Sequence, residues 1–276
     1  MATEHVLYQK DNGVGIITLN RPEKLNALHW GMNQAIAEYC NEIKQDDEVK
    51  VVILTGKGRA FCAGTDLRAE GSTGIAENQG NVPTAAARDV ARYASRPNAL
   101  DRLISWGMTS IPKPTICAMN GVAVGLGSEL TLHCDIRIAA ESARWGQVFV
   151  LRGWVPDTGA GTYLLPRIVG LSKALELVCS GRIIDAQEML RIGLVEQVVP
   201  DDQLMDKALE MAANLTKGAP LAVRMAKELI YRSLERNIEE HLMANGSAFR
   251  MLSASEDHAE GVKAFLEKRE PRWKGR

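Results

Sequence analysis

PTICAMNGVAVGLGSELTLHCDIRIAA, residues 114–140, decides the fold. It opens on a solid apolar run that stops at Asn120-Gly121, as a strand buried on both faces would. Gly125 and Gly127 bracket Leu126 where the chain turns, SELTLHC carries a helix, and DIRIAA is a second buried strand. Strand, glycine turn, helix and strand make a crossover unit whose strands run parallel. Upstream, His29 to Gln45 places Met32, Ile36, Cys40 and Ile43 on one helical face and leads into the apolar strand VKVVILTG, so the unit recurs. The opening VLYQ-KDNG-VGIITLN alternates around Asn12-Gly13, a dipeptide suited to the positive φ angles of a tight hairpin. An α/β core of repeated units, its sheets covered by helices, is expected. After about Pro200 four segments with helical periodicity follow and no strand pattern intervenes. Their apolar faces need a core or a neighbouring subunit to pack on, and we expect an oligomer.

The 276 residues, 46% apolar and 24% charged, suffice for a large core. A formal charge of -1 gives no general attraction to nucleic acid or to a membrane surface. No apolar run reaches the roughly 18 residues of a membrane span, and the first residues lack the order of a signal peptide, so a cytoplasmic location is expected. The five cysteines, Cys40, Cys62, Cys117, Cys134 and Cys179, are odd in number and widely spaced, and read as small core residues rather than a disulfide framework or metal cluster. The segment Ala69 to Pro97 mixes Gly, Ser, Asn and Pro with a short helical run, and such a length of irregular chain reads as a binding loop or lid.

Two segments carry chemistry. Backbone amides at the Gly125–Gly127 turn, backed by a helix dipole, suit a phosphate or a developing oxyanion, although a tight turn that merely needs glycine reads equally well. A dinucleotide fingerprint fails, because Leu130 stands where its third glycine belongs. In GRAFCAGTDL, residues 58–67, the run breaks at Gly64 and offers the amide of Thr65, or else a turn with Asp66 as a cap. Glu129 lies in the first helical turn, where the dipole favours an ionised base; simple charge complementarity is the plainer reading. Asp157 in PDTG suits either proton transfer or ordinary capping. Trp145, Phe149 and Trp154 suit an acyl pocket or a core. His133, inside an apolar helix, reads as a satisfied core residue, and the other four histidines are scattered. The basic tail Lys268, Arg269, Arg272, Lys274 and Arg276 reads as a solvated end.

AFCAGTDL (60–67) together with residues 114–143 closely resembles the paired signatures of the crotonase, or enoyl-CoA hydratase/isomerase, superfamily. RPEKLNAL (21–28), GWVPDTGAGTYLLPRIVG (153–170), SGRIIDAQEMLRIGLVEQVV (180–199) and AFLEKR (264–269) extend the likeness over nearly the whole chain. The resemblance implies a spiral core of β-β-α units over residues 1–200 and a C-terminal helical trimerisation region over 201–276, assembled as a trimer or hexamer. It implies an acyl-CoA thioester substrate, with coenzyme A as part of the substrate, no further cofactor and no metal. Carried over by position, the amides of Thr65 and Leu126 form the oxyanion hole. Leu25, Asn26, Ala27, Ala63, Thr65, Asp66, Leu67, Arg68, Gly125, Leu126 and Phe149 line the CoA ester, and Phe265 and Lys268 reach it from a neighbouring subunit. A typical hydratase of this family has glutamates at the positions of Glu129 and Phe149, so the pair that orients water is incomplete here. Asp157 matches an aspartate that some members use as acid, base or nucleophile. Glu129 is then the principal base and Asp157 its partner, with double-bond isomerisation favoured over hydration. Hydrolysis of a β-diketone or β-keto thioester, and a non-catalytic member binding acyl-CoA or RNA, are the alternatives; Arg102 lies near the place where dehalogenating relatives keep a working histidine, which weighs against that reaction.

Overall fold

A computed structural model describes residues 2–68 and 107–276. The expected lid between Ala69 and Pro97, and Arg102, lie outside the described residues. Strands β1 (Val6–Asp11) and β2 (Val14–Leu19) form the antiparallel hairpin, with Asn12 and Gly13 at φ 48 and 80 in its turn. Helix α1 runs from Trp30 to Gln45, one residue later than the periodicity suggests, because His29 is extended and serves as its N-cap. Strand β3 (Val51–Gly56) follows, then β4 (Ala60–Cys62), β5 (Thr115–Met119), β6 (Val122–Val124), helix α2 (Leu126–Leu132), β7 (Ile136–Ala140) and β8 (Arg144–Gly146).

β3, β5 and β7 each continue across a short turn into β4, β6 and β8, and this step builds two sheets at once. The larger has the order β1-β2-β3-β5-β7-β10, with β10 at Gln197–Val199, and is parallel from β2 onward. The smaller has the order β4-β6-β8-β9, with β9 at Ile184–Asp185. The repeat of strand, strand and helix is therefore the spiral of β-β-α units that the sequence implied.

Burial explains the solid apolar strands. Val52, Leu54, Cys117, Met119 and Ala139 face one cluster together with Phe61, Leu130 and Trp145. Their chain neighbours Val51, Ile53, Ile116, Ala118, Ile138 and Ala140 face a second cluster, closed by Leu204, Ala208 and Ala212 of a helix over Leu204–Leu215. Side chains alternate across the sheet, and both faces are covered, so most positions are apolar, with Thr55, Thr115 and Arg137 as hydrogen-bonded exceptions. Cys40, Cys62, Cys117 and Cys134 are buried as expected, but Cys179 is exposed, since it sits on the outer face of the helix Leu171–Ser180.

Three further helices, Pro220–Ser233, Ile238–Ser253 and Glu256–Glu267, complete the chain. Asp135, just before β7, ties the first of them to the sheet: it accepts from the amide of Thr115 (2.8 Å), from Lys227 Nζ (2.7 Å) and from the Tyr231 hydroxyl (2.7 Å). Ile230, Leu242, Met243, Phe249, Phe265 and Leu266 of this region are each more than half exposed.

Candidate active site

Residues 25–28 and 63–66 lie side by side. The Ala63 amide donates to Leu25 O at 3.0 Å, Leu28 N to Gly64 O at 2.8 Å, and Asp66 N to Leu28 O at 2.8 Å. Leu25 and Asn26 enter this ladder with left-handed φ of 52 and 56. Asn26 stabilises that turn from within: fully buried, it accepts from the Arg21 amide and donates to the carbonyls of Lys57 and Ala60. The ladder uses the amides of Ala63 and Asp66, Gly64 N turns to Cys62 Sγ at 3.4 Å, and the Thr65 N–H is left unspent among the described residues. Leu126 N is likewise uncommitted among the described residues, as the first amide of α2 has no acceptor within its helix.

Glycine lets the two turns pack on each other. Gly64, at φ 94, packs on the backbone of residues 124–126, where an added Cβ would stand 2.9 Å from Val124 O and 3.4 Å from Leu126 N. Gly127 lets α2 cross the end of β4, since a Cβ there would stand 2.1 Å from Cys62 O. Ala27, Thr65, Asp66, Leu67 and Arg68, with Arg21 and Lys24, line a cavity of about 440 Å³ beside this turn. Among the described residues Asp66 serves an ion pair and a tight turn. It pairs with Arg21 Nη1 at 2.7 Å and accepts from the Arg68 amide, and the Arg21 guanidinium beside it holds its carboxyl below the ordinary carboxylate range.

Glu129 points into the molecule and is fully buried. Oε1 accepts from Gln147 Nε2 (2.8 Å) and Gly161 N (2.8 Å); Oε2 accepts from Thr158 Oγ1 (2.5 Å) and Ala160 N (3.1 Å). A carboxylate has about four lone-pair sites, and all are engaged. Burial pushes the Glu129 carboxyl upward, while the donors from Thr158, Gln147 and Gly161 oppose it. The donors 158–161 come from the turn that carries Asp157 and from the start of the helix Ala160–Tyr163. Asp157 itself is exposed by surface area, yet protein crowds around it, and that partial loss of solvent raises its carboxyl from the ordinary aspartate range. The two carboxyls are close enough that Asp157 raises Glu129 electrostatically.

The three aromatics differ in burial, and Trp154 N donates to Phe149 O at 3.1 Å. Trp145 is core, its Nε1 donating to Thr131 Oγ1 at 3.0 Å; Phe149 is buried; Trp154 is 38% exposed. Phe265 and Lys268 lie elsewhere in the single chain: Phe265 is 81% exposed and lines a separate cavity with Phe249, Leu252 and Trp273, and Lys268 ends its helix at φ 52. Sequence reasoning passed over Gln147, Thr158 and the amides of Ala160 and Gly161. The only signal was the small, glycine-rich run TGAG after Asp157, which reads as a turn.

An enoyl-CoA hydratase/isomerase family model matches residues 9–276. The chain is 37% identical over 275 residues to 1,2-epoxyphenylacetyl-CoA isomerase of Escherichia coli, covering 99% of each. It is 36% identical over 270 residues to the short-chain-enoyl-CoA hydratase of Clostridium acetobutylicum, covering 98% of this chain and 97% of the relative. The crystal structure of an enoyl-CoA hydratase from Bacillus anthracis superposes with a TM-score of 0.85 at 36% identity, covering 99% of this chain and all of that one. By its β-β-α spiral, its matching family model and its full-length relatives, the chain belongs to the enoyl-CoA hydratase/isomerase family.

Proposed function

We propose that the chain isomerises the double bond of an enoyl-CoA thioester through an enolate. The amides of Thr65 and Leu126 hold the thioester oxygen as charge develops on it, and losing one such donor costs about 3 kcal/mol of transition-state stabilisation. The observation that most supports this reading is the packing of Gly64, the residue before Thr65, on residues 124–126, with neither the Thr65 nor the Leu126 amide hydrogen-bonded among the described residues. Leu25 to Ala27, Ala63, Gly125, Phe149 and the cavity of Thr65 to Arg68 bind the ester and its CoA. Glu129 and Asp157 carry the protons: Glu129 gains access to a substrate proton by releasing its longest contact, that from Ala160 N, and Asp157, with the more open carboxyl, moves a proton between carbons. Phe149, buried where a hydratase keeps its second glutamate, favours isomerisation over addition of water.

The same reading gives a homo-oligomer, trimer or hexamer, in which the exposed apolar face of residues 201–276 is covered and Phe265 and Lys268 of one subunit reach the CoA of the next. It requires no metal and no cofactor besides the CoA of the substrate, and it places the enzyme in the cytoplasm. No helix among the described residues is long and apolar enough to cross a membrane. The test is a panel of 2-enoyl-, 3-enoyl- and dienoyl-CoA esters: migration of the double bond is expected, and no turnover of any ester despite tight binding would overturn the proposal. Running the panel in heavy-oxygen water detects hydrolysis as label in a new carboxylate.

A further inference from the structure

Three of the four groups around Glu129 can only donate: Gln147 Nε2, Ala160 N and Gly161 N. The Thr158 hydroxyl is different, since it has one hydrogen and two lone pairs and can face Glu129 as donor or as acceptor. His133 bears on that choice. Its Nε2 lies 3.0 Å from Thr158 Oγ1, and its Nδ1 lies 3.1 Å from Thr109 Oγ1, so both ring nitrogens of a fully buried imidazole meet hydroxyls.

With the proton on Nε2, His133 donates to Thr158, Thr158 donates to an ionised Glu129, and Thr109 donates to Nδ1. With the proton on Nδ1 every arrow reverses: Thr109 accepts from the ring and turns its hydrogen to His133 O, 3.2 Å away, Thr158 donates to Nε2, and Glu129 must be protonated to donate to Thr158. The amide of Ala160, 3.3 Å from Thr158 Oγ1, occupies a lone pair of that oxygen in either case. The two arrangements differ by one proton on Glu129.

We infer that His133 is a positioning residue that, as the Nε2–H tautomer, keeps the Thr158 hydroxyl aimed at Glu129 and holds that carboxylate as an ionised acceptor in the free enzyme. The inference rests on the proton-transfer role proposed for Glu129. Burial carries the imidazole down to about 3, so it stays neutral and acts through its tautomer rather than its charge. Among the described residues, the ionisable groups around α2 include Asp157, whose charge opposes that of Glu129, Asp135 and Arg137 beyond its C-terminal end, and the buried thiols Cys62 and Cys134, the latter hydrogen-bonded to Cys117, both pushed up and neutral.

Nitrogen NMR of protein labelled in histidine reads the tautomer directly. Nε2–H at neutral pH is expected, and Nδ1–H would overturn the inference. The pair His133→Gln and His133→Leu separates hydrogen bonding from packing, because glutamine keeps an N–H of similar reach and leucine does not. In His133→Leu the carbon-13 titration of the Glu129 carboxyl should move upward, and with it the acid limb of kcat/KM, with a loss of roughly three- to tenfold at the acid end, the worth of one hydrogen bond; His133→Gln should restore both. Equal behaviour of the two variants, or an unmoved titration, would overturn it. Should His133→Leu fail to fold, Thr158→Val against Thr158→Ser poses the same question, with loss and retention of the Nε2–H tautomer expected respectively, and retention in both counting against the inference. The tautomer and carboxyl readouts need no turnover, so they stand apart from any failure of the isomerase reading.

Discussion

Gly64 and Leu126 meet through backbone alone: no side chain separates them, and a methyl group on Gly64 would stand 3.4 Å from the Leu126 nitrogen and 2.9 Å from Val124 O. The close packing of residue 64 on residues 124–126 thus depends on the absence of one carbon.

Gly64→Ala should loosen that packing, and the left-handed φ of 94 adds strain for any residue with a Cβ. We expect kcat to fall about 100-fold or more, the scale seen when an oxyanion donor is lost, while far-ultraviolet circular dichroism stays unchanged. Steady-state kinetics on the preferred enoyl-CoA ester checks this.

Gly161→Ala attacks the buried carboxylate instead. Its Cβ would stand 2.5 Å from Gln147 Oε1 and 2.7 Å from Glu129 Oε1, both inside a filled interior. Overpacking of this kind costs about 1–3 kcal/mol, so thermal denaturation should show a Tm several degrees lower, with activity reduced in the surviving fold.

Asp157→Asn should separate activity from stability. Its carboxyl is raised in the folded enzyme, so the native state binds the proton more tightly than the unfolded chain does. Stability linked to this group is present below the unfolded value of 3.8 and is lost as pH rises through the folded one. The amide escapes that loss. At pH 7 the variant should therefore be at least as stable as the parent, the advantage closing as pH falls toward the ordinary aspartate range, while isomerisation drops by two orders of magnitude or about that. Melting curves across pH alongside the ester assay would show it, and a variant less stable at pH 7 would refute the burial argument.

Phe249→Glu combined with Phe265→Glu places two charges on the exposed apolar face of the C-terminal helices. Sedimentation velocity should show the parent as an oligomer and the double variant as a smaller species, with KM for the CoA ester raised if Phe265 serves a neighbouring site. A parent that sediments as a monomer would remove the basis for that assembly.

Local pattern carried much of the architecture. Asn12-Gly13 marked the hairpin, and the apolar runs at Val51 and Thr115 marked strands covered on both faces. The second sheet escaped notice because β4, β6 and β8 are three residues each, shorter than a period-2 pattern needs to declare itself. At the site, the glycines and Thr65 were readable because a turn constrains its own residues. The cage around Glu129 was not, because Gln147, Thr158 and Gly161 reach it across 18 to 32 positions. His133 in particular looks like any polar interruption of an apolar helix until Thr109 and Thr158 are seen on either side of its ring.

The hydroxyl and two amides that hold Glu129 belong to Thr158, Ala160 and Gly161, while the Asp157 carboxyl accepts from its own amide and from that of Thr158. The turn is thus a socket fastened to Glu129 from beneath, with the Asp157 carboxyl bonded to the turn's own backbone on its outer side. Under the proton role proposed for Asp157, a side chain that keeps those two backbone bonds could change the chemistry offered to a bound thioester while the grip on Glu129 stays in place, which makes this corner of the fold evolvable.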